Sequence, residues 1–320
     1  MIVEQIVEKF IKYPRTLENG AGSLSKRWNC SREDIYTARK IVKNRMKYGT
    51  DYNPIDVSFN KNRLPKILIF DIETSPSISF TWKRFKENIS LDQVIQDPIM
   101  LTWSAKWLYD TEVLSDKITP QEIVTFNDKR ITESLWKLLD EADLSVAHYG
   151  DFFDIPFLNS RAIINGLKPY STVTTIDTKS IASRNFRFPS NKLDALGQYF
   201  NVGQKIKTDF SLWRRCVMGE QTAIDDMCIY NKQDVILLEE VYLKLRPWTK
   251  AHPNIAMYID SIKPMCSHCG SENITKIDKP YYTQTNKYDV YRCKCGALTR
   301  ARLSNIDIDK RDSLLISVGK

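Results

Sequence analysis

Apolar residues near the start of the chain recur at helical spacing: Val3, Ile6, Val7 and Phe10 share one helical face. A Gly20-Ala21-Gly22 break follows. Beyond it the pattern predicts a short helix, a tight turn at Asn29-Cys30 and a second helix over about 31–46. Ser31 can cap that second helix, with Asp34 three residues on as a capping-box partner. Residues 1–50 thus read as a small helical domain. Residues 51–64 are polar, contain Pro54 and read as a linker.

The middle of the chain changes period. Lys66-Ile67-Leu68-Ile69-Phe70 is an apolar run bounded by Pro65 and Asp71, hence a buried strand. Residues 99–107 and 144–148 read as further strands. Helical patterns lie at 133–140, 156–165, 192–200 and 223–245. Strands mixed with helices over 65–250 predict a layered α/β domain. From 258 to 305 short β-like pieces, such as 288–291, flank cysteines, and 306–320 reads as a tail.

Composition narrows the class. An apolar fraction of 42% and a charged fraction of 27% are those of an ordinary globular chain. No run approaches roughly 18 apolar residues, so no membrane span is expected. The start lacks a basic segment followed by an apolar one, so no signal peptide is expected and the predicted compartment is the reducing cytoplasm. The net charge of +8 suits a polyanionic partner, nucleic acid before membrane. Four of seven cysteines crowd one short segment, which favours a metal site over a disulfide framework.

The candidate chemistry starts at Asp71 and Glu73. Two residues apart on a strand, they point to the same side. Carboxylates held that close repel unless a cation neutralises them, and hard oxygen ligands favour magnesium or manganese. Alone, an Asp-x-Glu says little. Further along, Asp154 lies in Phe152-Phe153-Asp154-Ile155-Pro156-Phe157-Leu158, at the start of a helix. Tyr230 and Asp234 stand four apart on a helix and share a face.

With these residues in order, the chain resembles the DEDD (DnaQ-like) exonuclease superfamily, tyrosine subclass. The most similar flavour is the proofreading domain of family B DNA polymerases and its stand-alone relatives. The first motif is Ile69-Phe70-Asp71-Ile72-Glu73-Thr74, the second surrounds Asp154, and the third is Tyr230 to Asp234. Ile176-Asp177-Thr178 and residues 192–200 match the connecting strand and helix. The resemblance covers about 65–245. It implies a ribonuclease H-like fold, a mixed sheet flanked by helices. It also implies metal-dependent 3′→5′ hydrolysis of terminal phosphodiesters, with DNA favoured over RNA and single-stranded 3′ ends as substrate. Asp71, Glu73, Asp154 and Asp234 would hold two Mg²⁺ or Mn²⁺ ions, and Tyr230 would orient the attacking water. Asp151 is a rival to Asp154. The chain departs from the pattern at Tyr149, where the family often has asparagine. Partners implied are nucleic acid and a polymerase or another replication or repair protein. The alternatives are an RNA 3′ exonuclease on the same scaffold, or a non-catalytic nucleic-acid-binding or regulatory protein.

Two flanking modules add to this. Cys266 and Cys269, then twenty-three residues, then Cys293 and Cys295 form C-x2-C and C-x-C pairs, each followed by glycine. Four thiolates suit one structural zinc, and the pattern resembles a zinc ribbon. Because the second pair is one residue short of the usual ribbon spacing, His268 is an alternative ligand. The N-terminal segment resembles a helix-turn-helix module. Arg32, Arg39, Lys40 and Lys43 are candidate phosphate contacts on its second helix. Phe186 and Phe188, in loop-like basic surroundings, are candidates for stacking on a single strand. Trp103, Trp107 and Trp136 are expected in the core.

Overall fold

The computed structural model describes residues 3–19, 21–31, 34–36, 38–39, 41–42 and 64–318. The chain divides into two compact units, 1–60 and 61–320. In the first, α1 (Val3–Lys12) and α2 (Ala21–Trp28) are followed by helical residues between 34 and 42. Their shared core is Ile6, Val7, Phe10, Leu24, Ile35, Ala38 and Val42. The turn between the last two helical segments has Asn29 at φ 49°. Ser31 and Asp34 exchange reciprocal bonds there: the Asp34 N–H donates to Ser31 Oγ at 3.0 Å, and the Ser31 N–H to Asp34 Oδ2 at 3.1 Å. The linker expected at 51–64 lies, but for Leu64, outside the described residues.

The second unit is built on a five-stranded mixed sheet. Its strands are β1 (Ile67–Thr74), β4 (Met100–Trp107), β5 (Leu114–Lys117), β6 (Leu144–Ala147) and β7 (Thr174–Asp177), in the order β5-β4-β1-β6-β7. β4 runs antiparallel to both β1 and β5, whereas β6 is parallel to β1 and β7. A two-stranded ribbon, β2 (Ile78–Ser79) with β3 (Val94–Gln96), extends beyond β1. Helices α3 (Lys129–Glu141), α4 (Asp154–Ile164), α5 (Thr178–Asn185), α6 (Leu193–Tyr199), α7 (Phe210–Val217) and α8 (Gln221–Leu245) flank the sheet. The α/β architecture and its main elements therefore follow the periodicity. The exceptions are β2, β3, β5, α5 and α7, which the apolar pattern did not mark, β7, which only the motif resemblance pointed to, and β1, which runs four residues further than its apolar run.

β1 is central and covered on both sides, which is why its first four residues are all apolar and buried. Leu68, Phe70 and Ile72 join a core with Leu135 and Leu139 of α3. Ile67 and Ile69 face the other way and join Val235, Leu238, Val241 and Tyr242 of α8. The same side then turns acidic at Asp71 and Glu73. Alternation along one strand thus points the two carboxylates at the helix that carries Tyr230 and Asp234. Trp103 is buried and Trp107 packs against the first of these cores, while Trp136 is half-buried and donates to Lys168 O.

A buried ion pair fixes the helix that starts at Asp154. Asp128, just before α3, accepts from Arg161 Nε at 2.7 Å and Arg161 Nη2 at 2.8 Å. It also accepts from Asn165 Nδ2 and from the Met100 N–H at the start of β4. One carboxylate so ties β4 to α4. Arg161→Met strands that carboxylate without its cation, and a loss of about 3–5 kcal/mol is expected. Urea unfolding measures it, and a loss no larger than the ~1 kcal/mol of an exposed pair would show that the pair does not hold α4.

The C-terminal part folds as a three-stranded sheet in the order β10-β9-β8, from β8 (Ile274–Tyr282), β9 (Lys287–Cys293) and β10 (Leu298–Arg300). Among the described residues no helix is long and apolar enough to cross a membrane.

Candidate metal centres

Asp71, Glu73 and Asp234 each offer a carboxylate oxygen, and the three atoms lie within 4.8 Å of one another. Asp71 and Glu73 come from the last half of β1, and Asp234 from the middle of α8. Asp154 opens α4 beside them: its Oδ1 accepts from the Ile72 N–H, between the other two, at 3.2 Å. Asp154 is buried, whereas its rival Asp151 is exposed. Tyr230 stands one turn before Asp234, its ring edge-on to Trp213 at 6.2 Å.

Burial and mutual repulsion set the protonation of this group. Burial, then Asp154, Glu73 and Asp234, push Asp71 well above the usual carboxylate range. Burial lifts Glu73 to about 8 and Asp154 to about 7. Asp234 is raised by burial too, and its Oδ1 has no hydrogen-bond partner. Buried oxygens that repel and lack donors fit a hard divalent cation, so the donor set matches Mg²⁺ or Mn²⁺ chemistry.

Two residues that the motifs did not mark complete the site. Lys205, in the segment between α6 and α7, donates to Asp234 Oδ2 at 2.5 Å and to the Tyr230 hydroxyl at 3.1 Å. Asn231, fully buried on α8, donates to Asp71 Oδ2 at 2.7 Å. Tyr230 is pushed up to about 12, burial and then Asp234 being the main causes, so its phenol stays protonated. Asn231 was findable in principle as the neighbour of Tyr230. Lys205 lies in a stretch with no helical or strand period, and no sequence signal singled it out.

A cleft of about 340 Å³ meets the carboxylates at Lys205, which bonds Asp234. His148, Tyr149, Lys179, Lys192, Leu193, Asp194 and Lys205 line it. The Lys179 ammonium sits 3.6 Å from the Tyr149 ring centroid. Tyr149 adopts φ 76°, a left-handed conformation rare for a bulky residue and concentrated at functional sites. Its N–H is held by Asp177 Oδ1 at 3.1 Å. His148 is neutral, burial lowering it to about 4, and bonds Thr178 Oγ1 at 2.9 Å.

The four cysteines converge separately. Cys266 and Cys295 sulfurs are 3.7 Å apart, and Cys269 and Cys293 sulfurs 3.6 Å. Zinc with bonds of about 2.3 Å requires sulfur edges of about 3.8 Å in a tetrahedron, and a disulfide about 2.05 Å. The cluster therefore has the dimensions of a four-thiolate zinc site. Gly270 at φ 75° and Gly296 at φ 92° turn the chain after each pair. His268 Nε2 donates to Thr249 O and Nδ1 bonds Ser267 Oγ, and the four sulfurs converge without it.

The remaining candidates are placed as follows. Phe186 and Phe188 stack on each other at 5.0 Å and pack against the core, with Trp248 and Tyr199 alongside. Arg39 is half-buried: its guanidinium covers the Phe10 ring and donates to Asn19 O. Arg32, Lys40 and Lys43 lie outside the described residues.

No protein-family model matches the chain, and no curated protein matches it. Among solved structures it is similar to the family B DNA polymerase from the hyperthermophilic archaeon Pyrobaculum calidifontis, at 17% identity and a TM-score of 0.44. The similarity covers 57% of this chain and 25% of that one, so the chain corresponds to a quarter of that polymerase's length.

Without divalent ions, the clustered carboxyls bind protons more tightly folded than unfolded. Their contribution to stability is full below about pH 4, the unfolded range, and is lost as pH rises through about 7 and 8. Mg²⁺ or Mn²⁺ should therefore raise the Tm clearly at pH 8 and scarcely at pH 5, read by thermal unfolding. An equal shift at both pH values counts against a carboxylate metal site. Elemental analysis should likewise find one zinc per chain, lost in Cys266→Ser; a metal-free parent protein rejects the four-thiolate site.

Proposed function

We propose that the chain is a metal-dependent 3′→5′ exonuclease that hydrolyses the terminal phosphodiester of DNA, acting on single-stranded 3′ ends. The observation that carries this is the convergence of Asp71, Glu73 and Asp234 beside Asp154, with Tyr230 and Lys205 at the rim. The motif resemblance over 65–245 supports it, and so would a ribonuclease H-like reading of the mixed sheet. The four carboxylates would hold two Mg²⁺ or Mn²⁺ ions. Bound there, such ions supply a water of lowered pKa and take up charge on the leaving 3′ oxygen.

The chain's own residues do the positioning. Tyr230, protonated to about 12, is a donor rather than a base, and its hydroxyl orients the attacking water. Lys205 steers that hydroxyl and adds a fixed positive charge where a pentacovalent phosphate would gather negative charge. Asn231 holds one Asp71 oxygen and so aims the other. The cleft with Lys179 and Lys192 is suited to the phosphates upstream of the scissile bond. The four cysteines would hold one structural zinc. The N-terminal unit, read as a helix-turn-helix module, and the cysteine-bearing sheet would add grip on nucleic acid or on a replication or repair partner.

End-labelled single- and double-stranded DNA and RNA, with magnesium, manganese or chelator, test the reading. Metal-dependent shortening from the 3′ end of single-stranded DNA is expected, and Asp71→Ala should abolish it with the fold intact. No metal-dependent product from any 3′ end rejects the proposal; full activity in Asp71→Ala rejects the site. Tyr230→Phe keeps the helix and removes one hydroxyl. Its kcat should fall about 10²-fold or more with little change in KM; a change confined to KM would make Tyr230 a binding residue only.

A further inference from the structure

The cysteine-bearing sheet carries a second surface that the proposed hydrolysis does not use. Strand alternation sorts its residues onto two sides. The register pairs Tyr281 with Tyr288, Val290 with Arg300, and Arg292 with Leu298, so these residues share one side. Tyr282, Tyr291 and Cys293 lie on the other, with the cysteine cluster. On the first side the Arg300 guanidinium lies 4.1 Å from the Tyr288 ring centroid and 5.7 Å from that of Tyr281. The two rings are 6.4 Å apart. Tyr281 is 50% exposed and Leu298 48%, and Arg292 and Arg300 are exposed.

Charge singles out this sheet. Residues 274–302 hold seven Lys or Arg against two Asp, and one of those, Asp289, is bonded to Lys276 at 2.7 Å. Among the described residues, Arg292, Arg300 and Arg302 have no carboxylate partner within ion-pair distance. A planar guanidinium fixed on an aromatic ring, on a side with unpaired positive charge, fits two things at once: a base laid on the plane and a phosphate at its edge. Residues two apart on a strand are about 6.6 Å apart, a step comparable to the repeat of an extended nucleotide strand. From these observations we infer that the Tyr281–Tyr288–Arg300 side of the sheet is a binding surface for single-stranded nucleic acid. It is separate from the carboxylate centre and does not depend on the activity proposed there.

The test uses the full zinc-loaded chain in an Asp71→Ala background, so that no strand is consumed. Fluorescence anisotropy follows labelled single-stranded DNA, single-stranded RNA and blunt duplex over a range of salt. Arg300→Ala should weaken single-strand binding about five- to hundred-fold, the worth of one stacked base. It should also flatten the salt slope by about 0.7, one phosphate contact. Arg300→Lys should keep the slope and still lose affinity. Tyr282→Ala, an equally exposed tyrosine on the opposite side, should bind as the parent does. DNA and RNA arms tell which strand is preferred, and loss in either supports the surface. Unchanged single-strand affinity in both Arg300 variants overturns it, as does an equal loss in Tyr282→Ala or binding of duplex alone. Zinc content and circular dichroism confirm that each variant is folded. Hydrolysis of thymidine 5′-p-nitrophenyl phosphate, which is too short to reach the sheet, should be equal with and without Arg300→Ala in the Asp71 chain. A parent that fails to hydrolyse it speaks against the proposed exonuclease alone and leaves the binding result standing.

Discussion

Four carboxyl groups buried around the end of one strand set the terms for the rest of the second unit. Burial, with like charges beside it, opposes ionisation, and here burial above all lifts Glu73 to about 8 and Asp154 to about 7. A fold can keep such a cluster only if rigid neighbours hold it together. The neighbours are β1, covered on both sides, and α8, a 25-residue helix of about 37 Å. Small polar groups relieve part of the cost. The Ile72 N–H serves Asp154, Asn231 serves Asp71, and Lys205 serves Asp234. Arg161 and Asp128 act one shell out, fixing the helix whose first residue is Asp154.

The same α8 also anchors the cysteine-bearing sheet. Just past its end, Thr249 O accepts from His268, and His252 stacks on His268 at 5.2 Å while bonding the Tyr242 hydroxyl. Burial holds His252 down near 4, so that its own ring stays neutral. Gly270 is pressed against Ile259 and Ile255, where a Cβ would come within 2.5 Å of the Ile259 side chain. The cysteine knuckles thus pack just past the C-terminal end of the helix whose middle carries Asp234.

Much of this was legible in the sequence, for identifiable reasons. The run before Asp71 and the strand at 144–148 stand out as short apolar runs buried on both sides, and the helix from Ala223 to Leu245 by its length and heavy burial. β5 was missed because Leu114–Lys117 is a short edge strand, half-buried at every position. α5 and α7 are eight-residue helices with only two buried residues each, too few to mark a period. The motif residues stood out through spacing and context. Lys205 did not, since a lysine in an irregular stretch has no pattern; only the folded geometry brings it to Asp234. Phe186 and Phe188 read as free aromatics because their packing is tertiary: Trp248 comes from a distant part of the chain and Tyr199 from the end of the next helix. The ambiguity over His268 was likewise tertiary: Thr249 O, nineteen residues earlier, claims its free nitrogen.

The two metal-type clusters make opposite demands on a cation. The carboxylate cluster contains its own positive charge, since Lys205 sits in it with its side chain 30% exposed. Its carboxyls can also accept protons near neutral pH. An ion entering such a site would compete with a lysine and with protons, which favours exchange. The cysteine cluster has no lysine bonded into it among the described residues, and its sulfurs face one another across 3.6 and 3.7 Å at the root of a sheet with little apolar core of its own. Three buried residues, two of them cysteines, cannot hold three strands together by burial alone. An ion held there would be part of folding. The difference follows from which side chains stand beside the ligands, not from the ligands themselves.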